Sequence, residues 1–222
     1  MLFLSIPETF CHSSSVFEDF RIFALASRVV PPTGCSLTGD QWTLPSQTIF
    51  PRMFVSRTAG PMIRGRNCTD ILFTNNISNG GDYPVSFIGK NITVSNNTIV
   101  NATMWSTSFW ENSNLVVTNN IFCRPCQWNK RNTALAFYAI RGKIVSDGNV
   151  FWSPVKEHPV GGTIHNFAGK VLKQGRTLEE WRKVSGMDRN SIHADPMFVD
   201  YEKGDFRLKE GSPAKGKGAV LP

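Results

Sequence analysis

The sequence predicts an all-β fold: a right-handed parallel β-helix, a three-sheet solenoid of about four clear coils, a C-terminal segment and one short α-helix near residues 178–185. Three observations predict it. Four segments align without gaps, each carries an asparagine at the same place, and each follows a second short β-favouring run and a turn.

The aligned segments read Ile-Leu-Phe-Thr-Asn-Asn-Ile-Ser at 71–78, Ile-Thr-Val-Ser-Asn-Asn-Thr-Ile at 92–99, Leu-Val-Val-Thr-Asn-Asn-Ile-Phe at 115–122 and Ile-Val-Ser-Asp-Gly-Asn-Val-Phe at 144–151. The matching residues Asn76, Asn97, Asn120 and Asn149 recur every roughly 20–30 residues, which suits one turn of a β-solenoid with extra residues looped out. Strand alternation places Ile71, Ile92, Leu115 and Ile144 on one face, joined two residues later by Phe73, Val94 and Val117. Asparagine tolerates the left-handed backbone of a tight corner. Its amide can also bond to the asparagine one coil away, at the strand spacing of about 4.8 Å. The four residues are therefore expected to form a ladder.

Short apolar runs precede the aligned segments at 61–63, 85–88, 108–110 and 135–140, each followed by a polar turn. Strand, turn, strand, asparagine corner and strand give three strands per coil, hence three parallel sheets. Residues 61–153 are assigned to these coils. Thr177-Leu178-Glu179-Glu180 reads as a capping box ahead of Trp181 and Val184, with Gly186 as the stop, and the helix is expected over the end or side of the stack. Residues 154–222 form an insertion, this helix and a capping segment. In that segment Met197–Val199 and Phe206–Leu208 are expected to supply the last coil. Residues 1–60 contain no asparagine corner and no repeat match, and are read as incomplete coils of a longer β-helix.

Hydrophobic residues make up 41% of the 222 and charged residues 18%, a globular composition. No apolar run is long enough to span a membrane. The opening Met1 to Pro7 is not a convincing signal peptide, because it lacks a basic start and Pro7 and Glu8 interrupt its apolar stretch. The net charge of +7 favours an anionic partner, though no nucleic-acid-binding motif occurs and none is expected. Cys123 and Cys126 have CxxC spacing without a second ligand pair, so a local disulfide or two free thiols is expected and no metal.

The repeats resemble the right-handed β-helix of the pectate-lyase-like superfamily. The ending strengthens the likeness, with Trp181, Ser185-Gly186, Asp188, Ala194-Asp195-Pro196, Phe206-Arg207-Leu208 and Gly211-Ser212-Pro213-Ala214, and the match spans roughly residues 60–218. The resemblance implies a domain that binds or degrades an acidic polysaccharide, as a lyase or a glycoside hydrolase. It also implies an extracellular or periplasmic, monomeric protein, with calcium as the one cofactor it suggests. The alternative is a non-catalytic surface or adhesin-like module, or an inactive part of a larger enzyme.

The turn after each first strand carries charge: Arg64 and Arg66, then Lys90, Glu111, Arg141 and Lys143. Stacked coils are expected to align these residues into a groove that suits uronate or sulfate groups. Lyases of this resemblance pair a Lys or Arg base with acidic groups, so Lys90, Glu111 and Arg141 are the candidate catalytic residues. No catalytic motif carries over, and coil carboxylates are few (Asp70, Asp82, Glu111 and Asp147, the last read as structural). Trp105, Trp110 and Trp128 are candidate sugar platforms, because flat rings offer apolar faces to pyranoses. With Lys130, Arg131, Arg64 and Arg66 they make up the candidate substrate-binding set. His165 is read as a packing or surface residue.

Overall fold

The computed structural model describes residues 63–126, 133–156 and 158–220, with side chains from Cys68 onward, together with short backbone strands between 22 and 56. The fold is mostly β, with extensive parallel pairing and one short helix.

Three long strands form its middle: β6 (Ile63–Thr74), β8 (Val85–Ser95) and β10 (Thr107–Thr118). They pair in parallel, β6 with β8 and β8 with β10. The expected first and second strands of a coil are here one continuous strand with a bend. In the next repeat they separate into β12 (Leu135–Tyr138) and β13 (Ile144–Asp147), both parallel to β10. The hydrogen-bonded network therefore counts two large sheets and a small one rather than three parallel sheets.

The second large sheet holds the short strands that follow each asparagine: β7 (Ile77–Asn79), β9 (Thr98–Val100), β11 (Ile121–Cys123) and β14 (Val150–Trp152). Each lies parallel to the next in strict register. The alternation read from the sequence holds. Phe73, Phe87, Ile92, Val94, Phe109, Leu115, Val117, Phe122, Phe137 and Phe151 are buried in one core between the sheets. Phe109 stacks on Phe137 at 5.8 Å and Phe122 on Phe151 at 5.3 Å. Each such side chain contributes about 1.5–3 kcal/mol by leaving water.

The asparagine ladder is present. Asn76 Nδ2 donates to Asn97 Oδ1 at 3.0 Å, Asn97 Nδ2 to Asn120 Oδ1 at 3.0 Å, and Asn120 Nδ2 to Asn149 Oδ1 at 3.1 Å. Each acceptor oxygen also takes the backbone N–H of the donor's own residue at 2.9 Å. The two roles assigned to one asparagine fall on neighbours. The left-handed corner is made by Asn75, Asn96, Asn119 and Gly148 (φ 52° to 66°), while the ladder residue after each is buried. A second, exposed ladder turns the bend of the long strands. Asn114 Nδ2 donates to Asn91 Oδ1 at 2.9 Å and Asn91 Nδ2 to Asp70 Oδ1 at 2.7 Å, all three residues having positive φ.

Within the segment left unmatched by the repeat, β3 (Gln41–Thr43) and β4 (Ile49–Pro51) pair parallel to β6, and β5 (Met53–Ser56) pairs parallel to β7. These strands precede the first asparagine coil in the same order and direction. Antiparallel strands β1 (Ile22–Ala24) and β2 (Ser36–Thr38) pair with β5 and β3 at this end.

The other end is closed differently. After β14 the chain forms β15 (Gly162–His165), parallel to β12, then β16 (Val171–Gly175), antiparallel to β15, then helix α1 (Leu178–Ser185) and β17 (Ile192–His193), parallel to β14. This is a further repeat in which a hairpin and a helix stand where a second strand would be. Thr177 Oγ1 accepts from Glu180 N at 3.1 Å, the Glu180 carboxylate accepts from Thr177 N, and Gly186 ends the helix at φ 77°. Trp181 is fully buried and stacks on Phe137 at 6.1 Å and 7°, so the helix caps the core. A Cβ on Gly162 would lie 2.7 Å from the Trp181 ring, and one on Gly175 would lie 2.1 Å from the Trp181 nitrogen. Gly162 thus admits the indole, and Gly175 admits the helix backbone at Trp181.

Residues 197–208 do not form a last coil. β18 (Phe198–Asp200) and β19 (Asp205–Leu208) make an antiparallel hairpin. Its Phe198 and Phe206 pack in a second apolar cluster with Ile77, Ile121 and Val150, the outward residues of the short-strand sheet. Alternation explains this: the sheet is apolar on both faces, and its outer face needs a cover. The tail then crosses the asparagine corners. Lys217 Nζ donates to Asn119 Oδ1 at 2.6 Å, Gly218 N to Asn119 O at 2.8 Å and Ala219 N to Thr98 Oγ1 at 3.0 Å. Among the described residues no helix is long and apolar enough to cross a membrane.

Candidate functional site

Strict register on the long-strand sheet carries one outward row across four coils: Ile88 beside Trp110, Trp110 beside Tyr138, and Tyr138 beside His165. The strand spacing of about 4.8 Å is close to the thickness of stacked rings, so the rings lie face to face. Trp110 and Tyr138 are 4.0 Å apart at 4°, and Tyr138 and His165 are 4.1 Å apart at 10°. Trp105 meets Tyr138 edge-on, at 6.4 Å and 87°. Trp110 Nε1 donates to Ser108 Oγ at 3.0 Å, and His165 Nδ1 lies 3.1 Å from Gly169 O. Trp110 is 38% exposed, whereas Tyr138 is buried, and that burial raises its phenol above the usual range.

The stacking changes what the rings can offer. Tyr138 has a ring on each face, and Trp110 stands between Tyr138 and the Ile88 row, so the row presents ring edges rather than free faces. Aromatic edges carry the positive end of the quadrupole and attract oxygen-rich groups. For Trp110 the expectation of an open platform gives way to an edge-on ridge, which Trp105 meets at Tyr138. His165, read as a packing or surface residue, is its last ring. The sequence hid that role because residues 162–165 lack the asparagine repeat that marks the earlier coils.

Beside the ridge, Arg141 Nη2 meets Glu111 Oε2 at 2.7 Å. Glu111 sits at the bulged bend of β10 with φ 49°, and Arg141 reaches it from the following coil. The pair is solvent-exposed and contributes at most about 1 kcal/mol. Arg141, Ile140, Ile164, His165, Phe167 and Leu172 line a cleft of about 400 Å³, with Phe167 and Leu172 largely exposed at its rim.

The charged turns do not align as one column. Bulges between Gly65 and Cys68 and between Trp110 and Ser113 shift the register. Arg64 is level with Ser86 on the first limb of the sheet, and Lys90 is level with Thr69 and Ser113. Of the candidate catalytic residues, Glu111 and Arg141 meet, and Lys90 lies on another row. Arg66 pairs through its backbone with Thr43. The side chains of Arg64 and Arg66, and all of Trp128, Lys130 and Arg131, lie outside the described residues.

The coil carboxylates are engaged. Asp70 accepts from Asn91, Asp82 from Thr103 and Glu111 from Arg141. Asp147 accepts from the backbone and the side chain of Asn190, both at 2.7 Å. Burial pushes the Asp147 carboxyl up, but the Asn190 bonds and the nearby Lys217 outweigh it and hold it below the usual value. No group of three or more His, Cys, Asp and Glu side chains among the described residues is arranged to hold a metal ion. Cys123 and Cys126 are free buried thiols, pushed far up by desolvation, and are neither a disulfide nor reactive thiolates.

Compared with known proteins, the chain matches no family model, and no curated protein and no solved structure is significantly similar to it.

Proposed function

We propose that the stacked repeats form a right-handed parallel β-helix of the pectate-lyase-like kind, and that its long-strand face binds an acidic polysaccharide along the Trp110–Tyr138–His165 row. The observation that carries this reading is the ring ladder itself, 4.0–4.1 Å between ring centroids, with ring edges outward and the Arg141 guanidinium beside it. An anionic sugar polymer suits such a surface, since ring edges attract oxygens and Arg binds carboxylate or sulfate in bidentate fashion. A polysaccharide ligand also fits a monomer working outside the cytoplasm.

Binding is favoured over glycoside hydrolysis. Glycoside hydrolysis needs a pair of carboxyl groups free to act as acid and as base or nucleophile. Here the coil carboxylates are each hydrogen-bonded or ion-paired to a neighbour, Glu111 through a single Arg141 nitrogen. A glycan array combined with a depolymerisation assay tests the proposal. Retention of an acidic glycan, weakened by Trp110→Ala and Arg141→Ala, with no rise in absorbance near 235 nm and no new reducing ends, is the expected outcome. Cleavage by this chain would refute the binding-only reading, and failure to retain any acidic glycan would refute both.

A further inference from the structure

Just before β15 lies a second cleft of about 330 Å³, which shares no lining residue with the ring ladder. Its floor is Pro159 and Val160, both buried. Around it stand Lys156 and His158 from the loop after β14, Arg176 from the junction between β16 and α1, and His193 at the end of β17. Three separate segments thus bring two cationic and two imidazole side chains to one concavity.

Elsewhere four described basic residues pair with a carboxylate: Arg141 with Glu111, Lys203 with Asp200, Arg207 with Asp205, Arg124 with Glu202. Lys156, Arg176 and His193 make no ion pair among the described residues, and no described carboxylate lines the cleft. Glu180, four residues on, interacts with Arg176 electrostatically without a direct ion pair. Its Oε2 is committed to the backbone N–H groups of Arg176 and Thr177, at 2.8 and 3.1 Å. Glu157, between Lys156 and His158 in sequence, lies outside the described residues. Like charges gathered in a concavity repel one another, and an oxyanion relieves that repulsion while accepting several charge-assisted bonds at once.

We propose that this cleft binds an oxyanion group, the sulfate or phosphate of a ligand, through Lys156, Arg176 and His193, with His158, whose Nδ1 lies 3.2 Å from Ser153 Oγ, at its edge. The site is separate from the polysaccharide face and does not depend on that reading.

Titration of the intact chain with inorganic sulfate and, separately, inorganic phosphate, followed by histidine-selective NMR at low ionic strength, tests it. Saturable shifts confined to His158 and His193 are expected. Affinity should fall about tenfold in Arg176→Ala, the loss of one charge-assisted bond. The exposed Lys156→Gln, which leaves the helix cap untouched, should weaken binding in the same direction, and Lys183→Ala on the outer surface of α1 should leave it unchanged. Tighter sulfate than phosphate identifies a sulfated ligand, and the reverse a phosphorylated one. Shifts that do not saturate, or an affinity equal in the wild type and Lys156→Gln, overturn the proposal, including the case in which Glu157 neutralises the cleft.

Discussion

The side-chain amide of Asn149 donates to Oδ1 of Asp188 at 3.0 Å, and through that bond the asparagine ladder is tied to the cap. The other oxygen of Asp188 accepts from the Trp181 indole at 2.8 Å, and Ser191 Oγ donates to the first at 2.6 Å. A single buried carboxylate therefore ends the ladder, seats the capping ring and fixes the turn into β17. Asp188→Ala leaves the Trp181 indole N–H and the Ser191 hydroxyl without their acceptor. A loss of about 2–4 kcal/mol is expected, from unsatisfied buried donors. Urea denaturation checks it, and a loss under about 0.5 kcal/mol would mean that the cap does not depend on this residue.

The division of labour within each Asn-Asn pair gives a paired test. Asn96 supplies the left-handed corner, and glycine adopts that conformation freely, so Asn96→Gly should change stability by only about 0.5 kcal/mol. Asn97→Gly removes the acceptor of Asn76 N and Nδ2 and the donor to Asn120 Oδ1 and Phe73 O, and should cost about 2–4 kcal/mol. Equal effects at the two positions would contradict the assignment.

Gly162→Ala places a methyl 2.7 Å from the Trp181 ring, with the strand fixed on one side and the helix on the other. Overpacking of this kind costs about 1–3 kcal/mol. Tryptophan fluorescence should shift to the red as the indole is displaced from the core, and an unchanged spectrum with unchanged stability would remove the cap from the account.

Acid should loosen the same end of the molecule. Hydrogen bonds from the Thr177 and Arg176 backbones hold the Glu180 carboxyl below its ordinary 4.5. At Asp147, burial pushes the other way, but the Asn190 bonds and Lys217 prevail and the carboxyl sits below 3.8. Carboxyls depressed in the folded chain leave the unfolded chain to take up protons first as the pH falls. Their stabilisation is complete above the unfolded values and disappears as the pH drops through the folded ones. The urea midpoint should decline between about pH 5 and pH 3, more shallowly in Asn190→Ala. An identical pH profile in the variant would assign the decline to other groups.

The coils marked by Asn76, Asn97, Asn120 and Asn149 could be read from the chain because their chemistry repeats, and α1 because its cap and stop are local signals. The coil formed by β3, β4 and β5 lies in the stretch read only as incomplete coils, and its strands could not be placed for a physical reason. Its strands keep the pairing register of the next coil, but Met53 stands at the position that Asn76 fills there, so the mark of the corner is missing. The hairpin of Phe198 and Phe206 looked like one more coil, since outward-facing apolar strands and inward-facing ones alternate alike. The ring ladder joins residues separated by loops of unequal length, and only the register across β10, β12 and β15 brings them level.

The tail closes contacts over very long stretches of chain: Lys217 to Asn119 across 98 residues, Ala219 to Thr98 across 121 and Val220 to Asn75 across 145. Such links form late, because every intervening segment must already be in place before they are rewarded. During synthesis the strip of Ile77, Ile121 and Val150 emerges well ahead of the segment that shelters it. The nascent protein must therefore pass through a period with one greasy flank open to its neighbours, and a ribosome stalled before residue 198 would leave that flank open for good.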